Sequence, residues 1–181
     1  MWPSKQTLNY VMLKCADLLE SHVELTARLN QHLQAVVEGD LVQARKQFLS
    51  FAALLNAHSL AEDRVLLPVF EKLELQTLGC SLEILGKEHN KMRRLLAEAQ
   101  LRIFAPDVQL TAAERLVWID ETRMLKEVME HHDVRERAAF NSAIDAALDQ
   151  AEASALAGEA MQLEQQLEEQ YLTEYQAAIE S

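Results

Sequence analysis

The sequence predicts an all-α protein, and its composition is the first reason. Among 181 residues, Gly occurs four times and Pro three times, far below the usual ~7% and ~5%. The chain is instead rich in Leu (30), Ala (25) and Glu (21), which are good helix formers. The second reason is that apolar residues recur at three- and four-residue spacing over long segments. An all-β fold is excluded, because it needs turn residues about every 8–12 positions.

The first two helices are separated by a two-residue break. The first is predicted over about residues 4–38, where Gly39 ends it and Asp40 caps the next helix. The second runs over about residues 41–73, with a kink or loosening expected at Pro68. The residues predicted to face the core are Leu18, Leu25, Leu29, Leu33, Leu54, Leu55, Leu66 and Val69.

The third and fourth helices follow a break at about residues 75–79. The third is predicted from about residue 81 to 104 and is closed by Pro106 and Asp107. Thr111 and Glu114 form a capping-box pattern that opens the fourth helix, which ends near Leu148. The residues predicted to face inward are Leu85, Met92, Leu96, Val117, Leu125, Val128 and Ala139.

The short connections predict the overall arrangement. Each helix must run back along its predecessor, which gives an up-down-up-down four-helix bundle over residues 1–149. Residues 150–181 contain seven Glu and no Lys or Arg. They are predicted to form an additional acidic C-terminal helix that packs on the bundle or on a second subunit, the latter giving a homodimer. We expect any metal site to be complete without this helix.

Charge and composition exclude several classes of function. The net charge is −12, and no basic stripe is available to neutralise nucleic-acid phosphates or an anionic membrane surface. No apolar run reaches the ~20 residues of a membrane span, and no signal peptide is recognised at the N-terminus, so we expect a cytoplasmic protein. Cys15 and Cys80 match no metal or redox motif and are interpreted as core thiols.

Six ionisable residues occupy positions where the helical pattern calls for apolar side chains. Two His-x-x-x-Glu pairs place both side chains on one helix face, although about one such pair is expected by chance in a chain this acidic. Position is more informative than spacing. His22 lies 17 residues before Gly39 and His58 lies 18 after Asp40, so the two are level across the first turn. The six residues are His22, His58, Glu62, His89, His132 and Glu136.

The order His, then His-x-x-x-Glu, occurs in both helix pairs and implies pseudo-twofold symmetry. His89 and His132 are less well matched, by about nine ångströms along the helices. Burying imidazoles and carboxylates costs several kcal/mol unless they are paired or bind a metal. Mixed imidazole and carboxylate donors suit first-row metals such as iron. Two Glu can bridge two ions that four His cap, which leaves an open position for a small ligand. The alternative is a polar core network in a metal-free helical interaction protein.

These residues resemble the hemerythrin-like family, also called the HHE cation-binding domain, over about residues 15–145. The resemblance implies a four-helix bundle that holds a non-haem di-iron centre, with two iron ions as cofactor. Pro68 and Phe70 match a family tendency, and the Glu88-His89 pair matches its third helix. The ligands implied by the resemblance are His22, His58, Glu62, His89, His132 and Glu136.

One position departs from the oxygen-carrying members of that family. They have a second third-helix His where this chain has Arg93, which favours members that sense iron, respond to nitric oxide or repair iron centres. The expected ligand is dioxygen, nitric oxide or iron itself, without catalytic turnover. An enzyme or repair factor for nitric oxide, peroxide or damaged iron centres is the alternative.

Neighbouring polar residues are interpreted as outside the ligand set. His132 is preferred to His131 in the fourth helix, and His32 is expected to be partly exposed or to support the site from outside. Glu88 and Glu127 are expected to be solvated or to orient a ligand imidazole.

Overall fold

The computed structural model describes residues 12–75, 77, 79–103 and 110–180. Over this part of the chain the structure is helical apart from short connections and one isolated bridge between Thr77 and Cys80. The all-α prediction is therefore confirmed. None of the described helices combines the length and apolarity needed to cross a bilayer. In chain order the elements are a 3-10 helix (Cys15–Leu19), α1 (Glu20–Glu38), α2 (Leu41–Ala61), a π-helical turn (Glu62–Leu66), α3 (Leu67–Lys72), α4 (Leu82–Ile103), α5 (Ala112–Arg135), a second π-helical turn (Glu136–Phe140), α6 (Asn141–Ala147) and α7 (Gln150–Glu180).

Among the described residues, helical structure begins at Cys15, whereas the predicted first helix runs from about residue 4. Residues 4–11 lie outside the described part, but the backbone of Lys14 is extended, with φ −127° and ψ 156°. Helical structure begins at Cys15 because the Asp145 carboxylate accepts hydrogen bonds from the backbone N–H groups of Cys15 at 2.8 Å and Ala16 at 3.2 Å. A residue distant in sequence therefore caps this helix, and periodicity could not predict it.

The turn between α1 and α2 forms as predicted. Gly39 has a left-handed φ of 81°, which glycine adopts without strain. Asp40 caps α2 by accepting a hydrogen bond from the Gln43 backbone N–H at 3.0 Å.

Pro68 lies in the first turn of α3, directly after a π-helical turn. Proline cannot donate a backbone hydrogen bond and crowds the carbonyl four residues earlier, that of Arg64. The helix therefore widens before the proline, which confirms the expected loosening. The second π-helical turn, between α5 and α6, contains no proline and was not predicted.

The third and fourth predicted helices correspond to α4 and to α5 with its continuation through α6. Thr111 and Glu114 form the predicted capping box, in which the Thr111 N–H donates to the Glu114 carboxylate at 2.7 Å. Pro106 and Asp107, predicted to close the third helix, lie outside the described residues.

One predicted core residue is wrong. Val117 is 53% exposed, whereas Trp118 packs against the core. Trp118 lies seven residues, or about two turns, before buried Leu125 and so shares its helix face. Val117 is one residue out of phase.

Contacts between α1 and α2 show that the two helices run in opposite directions. His22 lies against His58, and ten residues further along α1 the His32 ring bonds the Ala44 carbonyl. The helices α4 and α5 also pack together, as do α1 and α5.

Two apolar clusters lie on either side of one polar layer. Because both are closely packed, they keep water away from the side chains between them. The cluster nearer the α1–α2 turn includes Leu25, Leu29, Phe48, Phe51, Leu54, Leu55, Met92, Leu96, Leu125, Val128 and Met129. The other cluster includes Cys15, Leu18, Val65, Leu66, Phe70, Cys80, Leu85, Phe140, Ile144, Ala157 and Ala160.

Helix α7 packs along α2. Ala157 and Ala160 are fully buried, and Leu156 and Leu163 pack against the second apolar cluster. The apolar stripe of this helix thus contacts the core of its own chain. A homodimer through α7 stays a prediction.

Candidate metal centre

The structure brings all six predicted ligand residues into the polar layer. Every one is almost completely buried, with at most 6% of its surface exposed. They form two groups that share both carboxylates, and within each group one potential ligand atom per residue lies within 4.8 Å of the others. The first group is His22, His58, Glu62 and Glu136, and the second is Glu62, His89, His132 and Glu136.

The histidines face one another in two pairs. In the first pair, the Nε2 atoms of His22 and His58 are 2.7 Å apart. In the second pair, the Nε2 atoms of His89 and His132 are 3.2 Å apart. The offset along the helices expected for the second pair is absent, since these two imidazoles lie against each other.

The two glutamates lie between these pairs, and each is the first residue of a π-helical turn. Glu136 approaches the Nε2 atoms of His22 at 3.1 Å and His132 at 2.9 Å. Glu62 approaches the Nε2 atoms of His89 at 3.3 Å and His58 at 3.5 Å. π-helical turns often occur at functional sites, and here both begin at the carboxylate common to the two groups.

None of these close approaches has the geometry of a hydrogen bond. Both carboxylate oxygens of Glu62 and of Glu136 are buried without a hydrogen-bond partner. Buried polar atoms are nearly always satisfied, so four unsatisfied oxygens facing four imidazole nitrogens need a further explanation. A cation between them satisfies both sets of lone pairs, and the residues therefore fit a metal.

The outward nitrogen of each imidazole contacts a second carboxylate. His22 Nδ1 lies 2.5 Å from Asp133 and His58 Nδ1 lies 2.7 Å from Glu164. A carboxylate accepts the Nδ1–H, which leaves Nε2 as the lone-pair donor facing the layer, and this is the usual arrangement around metal-binding histidines.

The second pair is held in the same way. His89 Nδ1 lies 2.6 Å from Asp63, and His132 Nδ1 lies 3.2 Å from Glu88. We call Asp63, Glu88, Asp133 and Glu164 the outer carboxylates.

Arginines hold three of the outer carboxylates in turn. Arg93 Nη1 lies 2.9 Å from Asp63, and Arg137 Nε lies 2.7 Å from Asp133. Arg135 pairs with Glu88. Arg93, which stands where oxygen carriers of the resembled family have a second histidine, therefore contacts an outer carboxylate.

The electrostatics of the layer favour positive charge. Burial disfavours a charged imidazole, but the charges of Glu62 and Glu164 outweigh this effect and raise the pKa of His58 to about 9. At His132, burial again disfavours the charged imidazole, but the charge of Glu136 outweighs this effect and raises the pKa well above its usual value. Burial alone would raise the pKa of Glu62, yet the charge of His58 helps to hold it well below the usual range. The same carboxylate charges that favour a protonated imidazole would stabilise a bound cation.

The remaining histidines lie outside the cluster. His131 is exposed. The expectation that His32 is partly exposed or supports the site is wrong. His32 is fully buried, with its ring against Phe48 and Trp118. Burial lowers the pKa of His32, so it is a neutral core residue.

Cys15 and Cys80 are buried and unpaired by any disulfide. Burial raises the pKa of Cys15 to about 12, which keeps the thiol protonated and unreactive.

Sequence analysis missed three of the four outer carboxylates. Asp63 and Asp133 each directly follow a predicted ligand in the sequence, and that adjacency is a usable signal. Glu88 was predicted to be solvated or to orient an imidazole, and it contacts His132. Glu164 carried no signal, because it lies on the separate acidic helix.

A small cavity of about 50 Å³ opens beside the first His pair. His22, His58 and His132 line one part of it. Exposed Asn30 and Glu130 lie at its rim. Its apolar wall is formed by Leu25, Leu29, Leu55, Met92 and Met129.

Comparison with known protein families gives one match. The model of the hemerythrin HHE cation binding domain matches residues 15–144. The chain belongs to this family. The matched region contains all six ligand candidates and ends before α7. No curated protein and no solved structure matches the chain significantly.

Proposed function

We propose that the chain binds two iron ions in the polar layer and uses them to bind or sense a small ligand. The observation that carries this proposal is the pair of four-residue groups that share Glu62 and Glu136. Each His pair would hold one ion, and Glu62 and Glu136, which belong to both groups, would be shared between the two ions.

We also propose a topology for the helices. We interpret the helices of residues 15–147 as an up-down-up-down bundle with α7 as an additional helix. Opposite directions of α1 and α2 support this interpretation. A second reversal is indicated by α2 and α4, since His89 bonds Asp63 while Arg93 bonds Ser59.

The donor set favours iron over a structural zinc ion. Four imidazoles and two carboxylates suit first-row metals that accept nitrogen and oxygen together. Structural zinc sites commonly contain thiolates and are closed by four ligands, whereas neither buried cysteine belongs to either group. The family match supports cation binding. When bound, a pair of iron ions supplies a redox-active centre with affinity for diatomic ligands.

The protein's own residues would control access to this centre. A cavity of about 50 Å³ holds a diatomic molecule or a few waters but not an organic substrate. Leu25, Leu29 and Met129 give it an apolar wall that disfavours water and charged solutes. His22, His58 and His132 present the only imidazoles along the described lining. The ligand we propose is therefore dioxygen or nitric oxide.

Metal analysis of anaerobically purified protein tests the proposal. We expect about two irons per chain, as for a bridged pair, and a visible absorption band that changes on exposure to dioxygen or nitric oxide. Protein that is folded but holds no stoichiometric metal after anaerobic incubation with Fe²⁺ would contradict it.

The cavity is tested separately. Leu29→Phe should fill it and slow the spectral response to nitric oxide about tenfold while iron content stays near two, because overpacking at this site obstructs access rather than ligation. The matched control is Leu96→Phe, in the same apolar cluster but outside the cavity lining. An unchanged response in Leu29→Phe would show that the ligand enters elsewhere.

A further inference from the structure

One half of the site contains the His22–His58 pair and the other contains the His89–His132 pair. The residue that precedes the first histidine differs between the two halves. Ser21 directly precedes His22 on α1, and Glu88 directly precedes His89 on α4. His22 and His89 are the equivalent members of the two His pairs. Ser21 and Glu88 therefore occupy equivalent places, and only one of them carries a carboxylate.

In the second half, Glu88 performs a defined task. Its Oε2 atom lies 3.2 Å from Nδ1 of His132, the histidine on the partner helix α5. Arg135 pairs with the other carboxylate oxygen. The outer carboxylate of His132 thus comes from the same helix pair that builds this half of the site.

In the first half, Ser21 is too short and uncharged for this task. A carboxylate from α7 occupies the corresponding place. Glu164 Oε2 lies 2.7 Å from His58 Nδ1. The Ser21 hydroxyl donates a hydrogen bond to Glu164 Oε1 at 2.6 Å. Glu164 is only 9% exposed although it belongs to the acidic helix.

Helix α7 is held in this register by further contacts on the C-terminal side of Glu164. One turn later, Glu168 pairs with Arg28 of α1. Towards the C-terminus the Asn56 side-chain amide donates to the Tyr175 hydroxyl at 2.8 Å. These contacts fix the height of Glu164 relative to His58.

We propose that α7 is part of the metal centre, with Glu164 as the positioning residue of His58 in place of the carboxylate that α1 lacks at Ser21. The inference rests on the proposed function, because it assumes that His58 binds a metal ion. It extends the functional unit beyond residues 15–144, the region that matches the family. Docking of α7 and retention of the ion at the first His pair then depend on each other.

The test is the release of Fe²⁺ from loaded full-length protein into an excess of chelator under anaerobic conditions. In Glu164→Gln we expect one of the two ions to leave about 10–100-fold faster, the usual effect of losing an outer carboxylate, while the other leaves at the wild-type rate. Glu88→Gln should give the same one-ion fast phase from the other half. The matched control, Glu159→Gln, changes an exposed glutamate of the same helix and should match the wild type.

Rescue separates positioning from a general structural role. In Ser21→Glu/Glu164→Ala, the carboxylate returns to the place that Glu88 occupies in the other half. We expect this variant to release the ion at least tenfold more slowly than Glu164→Ala alone, because the Nδ1–H of His58 regains its acceptor. Thermal unfolding of the metal-free forms checks folding. If Glu164→Gln does not fold, Arg28→Gln, which weakens α7 docking without touching a ligand, should still show the one-ion fast phase.

Several results would overturn the inference. Release from Glu164→Gln at the wild-type rate, or a fast phase that Ser21→Glu does not slow, contradicts the role of Glu164 while leaving the proposed function intact. Wild-type protein that binds no Fe²⁺ contradicts both.

Discussion

The half of the site built by α1 and α2 and the half built by α4 and α5 reach the same chemistry by different routes. In both, two imidazoles turn Nε2 inward and give Nδ1 to a carboxylate. In the α4–α5 half, both outer carboxylates, Asp63 and Glu88, come from segments that precede α7 in the chain. In the α1–α2 half, one comes from α5 and the other, Glu164, from α7.

The two halves need the same acceptor for each imidazole Nδ1–H, but different residues supply it. A buried imidazole needs an acceptor for Nδ1–H if Nε2 is to remain a lone-pair donor. That requirement is met four times in the structure, but only the carboxylate at position 88 directly precedes one of the four histidines in sequence. The α1–α2 half therefore depends on tertiary docking to a greater degree.

The largest expected effect tests what the halves share. Glu62→Ala and Glu136→Ala should each lose both ions, with metal affinity falling by more than about 100-fold, because each carboxylate belongs to both groups and a direct ligand matters more than an outer one. Iron per chain after desalting measures this. Glu127→Ala, at an exposed position, is the control. Retention of one ion in either variant would show that the carboxylates do not bridge.

Removing one histidine should affect only one half of the site, and this is the next largest expected effect. His58→Ala and His132→Ala should each keep about one ion of two, because each imidazole belongs to only one group. The same desalting measurement applies. His131→Ala, on the exposed side of the same helix as His132, should keep both ions. Loss of metal from His131→Ala but not from His132→Ala would show that the ligand of α5 is wrongly assigned.

The pH dependence of the metal-free protein should give a smaller effect. Around His58 lie Glu62 on its own segment, His22 from α1, Glu136 and Glu164. Its pKa is about 9 in the folded state against 6.5 ordinarily, so its stabilising contribution is complete below pH 6.5 and disappears as the pH rises towards 9.

Denaturant unfolding of the metal-free protein at several pH values measures this effect. We expect the free energy of unfolding to fall by the order of 1–3 kcal/mol between pH 6.5 and 9. Glu164→Gln should reduce the fall, because it removes one of the charges that raise the pKa of His58. A free energy that rises over this interval would contradict the sign. On the acidic side, the depressed pKa of Glu62 predicts loss of stability below about pH 4.5.

The smallest effects concern the arginines. Arg135→Gln and Arg93→Gln should each accelerate loss of one ion, from the α4–α5 half, by about two- to tenfold, less than the loss of an outer carboxylate itself. Arg137→Gln should do the same for the α1–α2 half through Asp133. Chelator competition measures all three, and Arg123→Gln, whose partners are exposed, is the control. An effect as large as that of Glu88→Gln would mean that the arginine does more than hold its carboxylate.

The sequence by itself determined the helical class and the six residues of the polar layer. Helical rise and rotation are local and regular, so the phase of His22 or Glu136 relative to neighbouring leucines follows from spacing alone. The cap at Asp40 and the capping box at Thr111 are equally local, since their partners lie three residues away.

Tertiary structure alone decided the long-range contacts of the charged residues around that layer. Glu164 and His58 are 106 residues apart, and Asp145 caps a helix 130 residues away. Neither contact has a period or a motif, because each exists only when separate helices dock at one height. The π-helical turn at Glu136 and the burial of His32 also follow from tertiary packing rather than from a local pattern. The geometry of its own helix sets the direction of a side chain, whereas the packing of other helices determines which groups that side chain contacts.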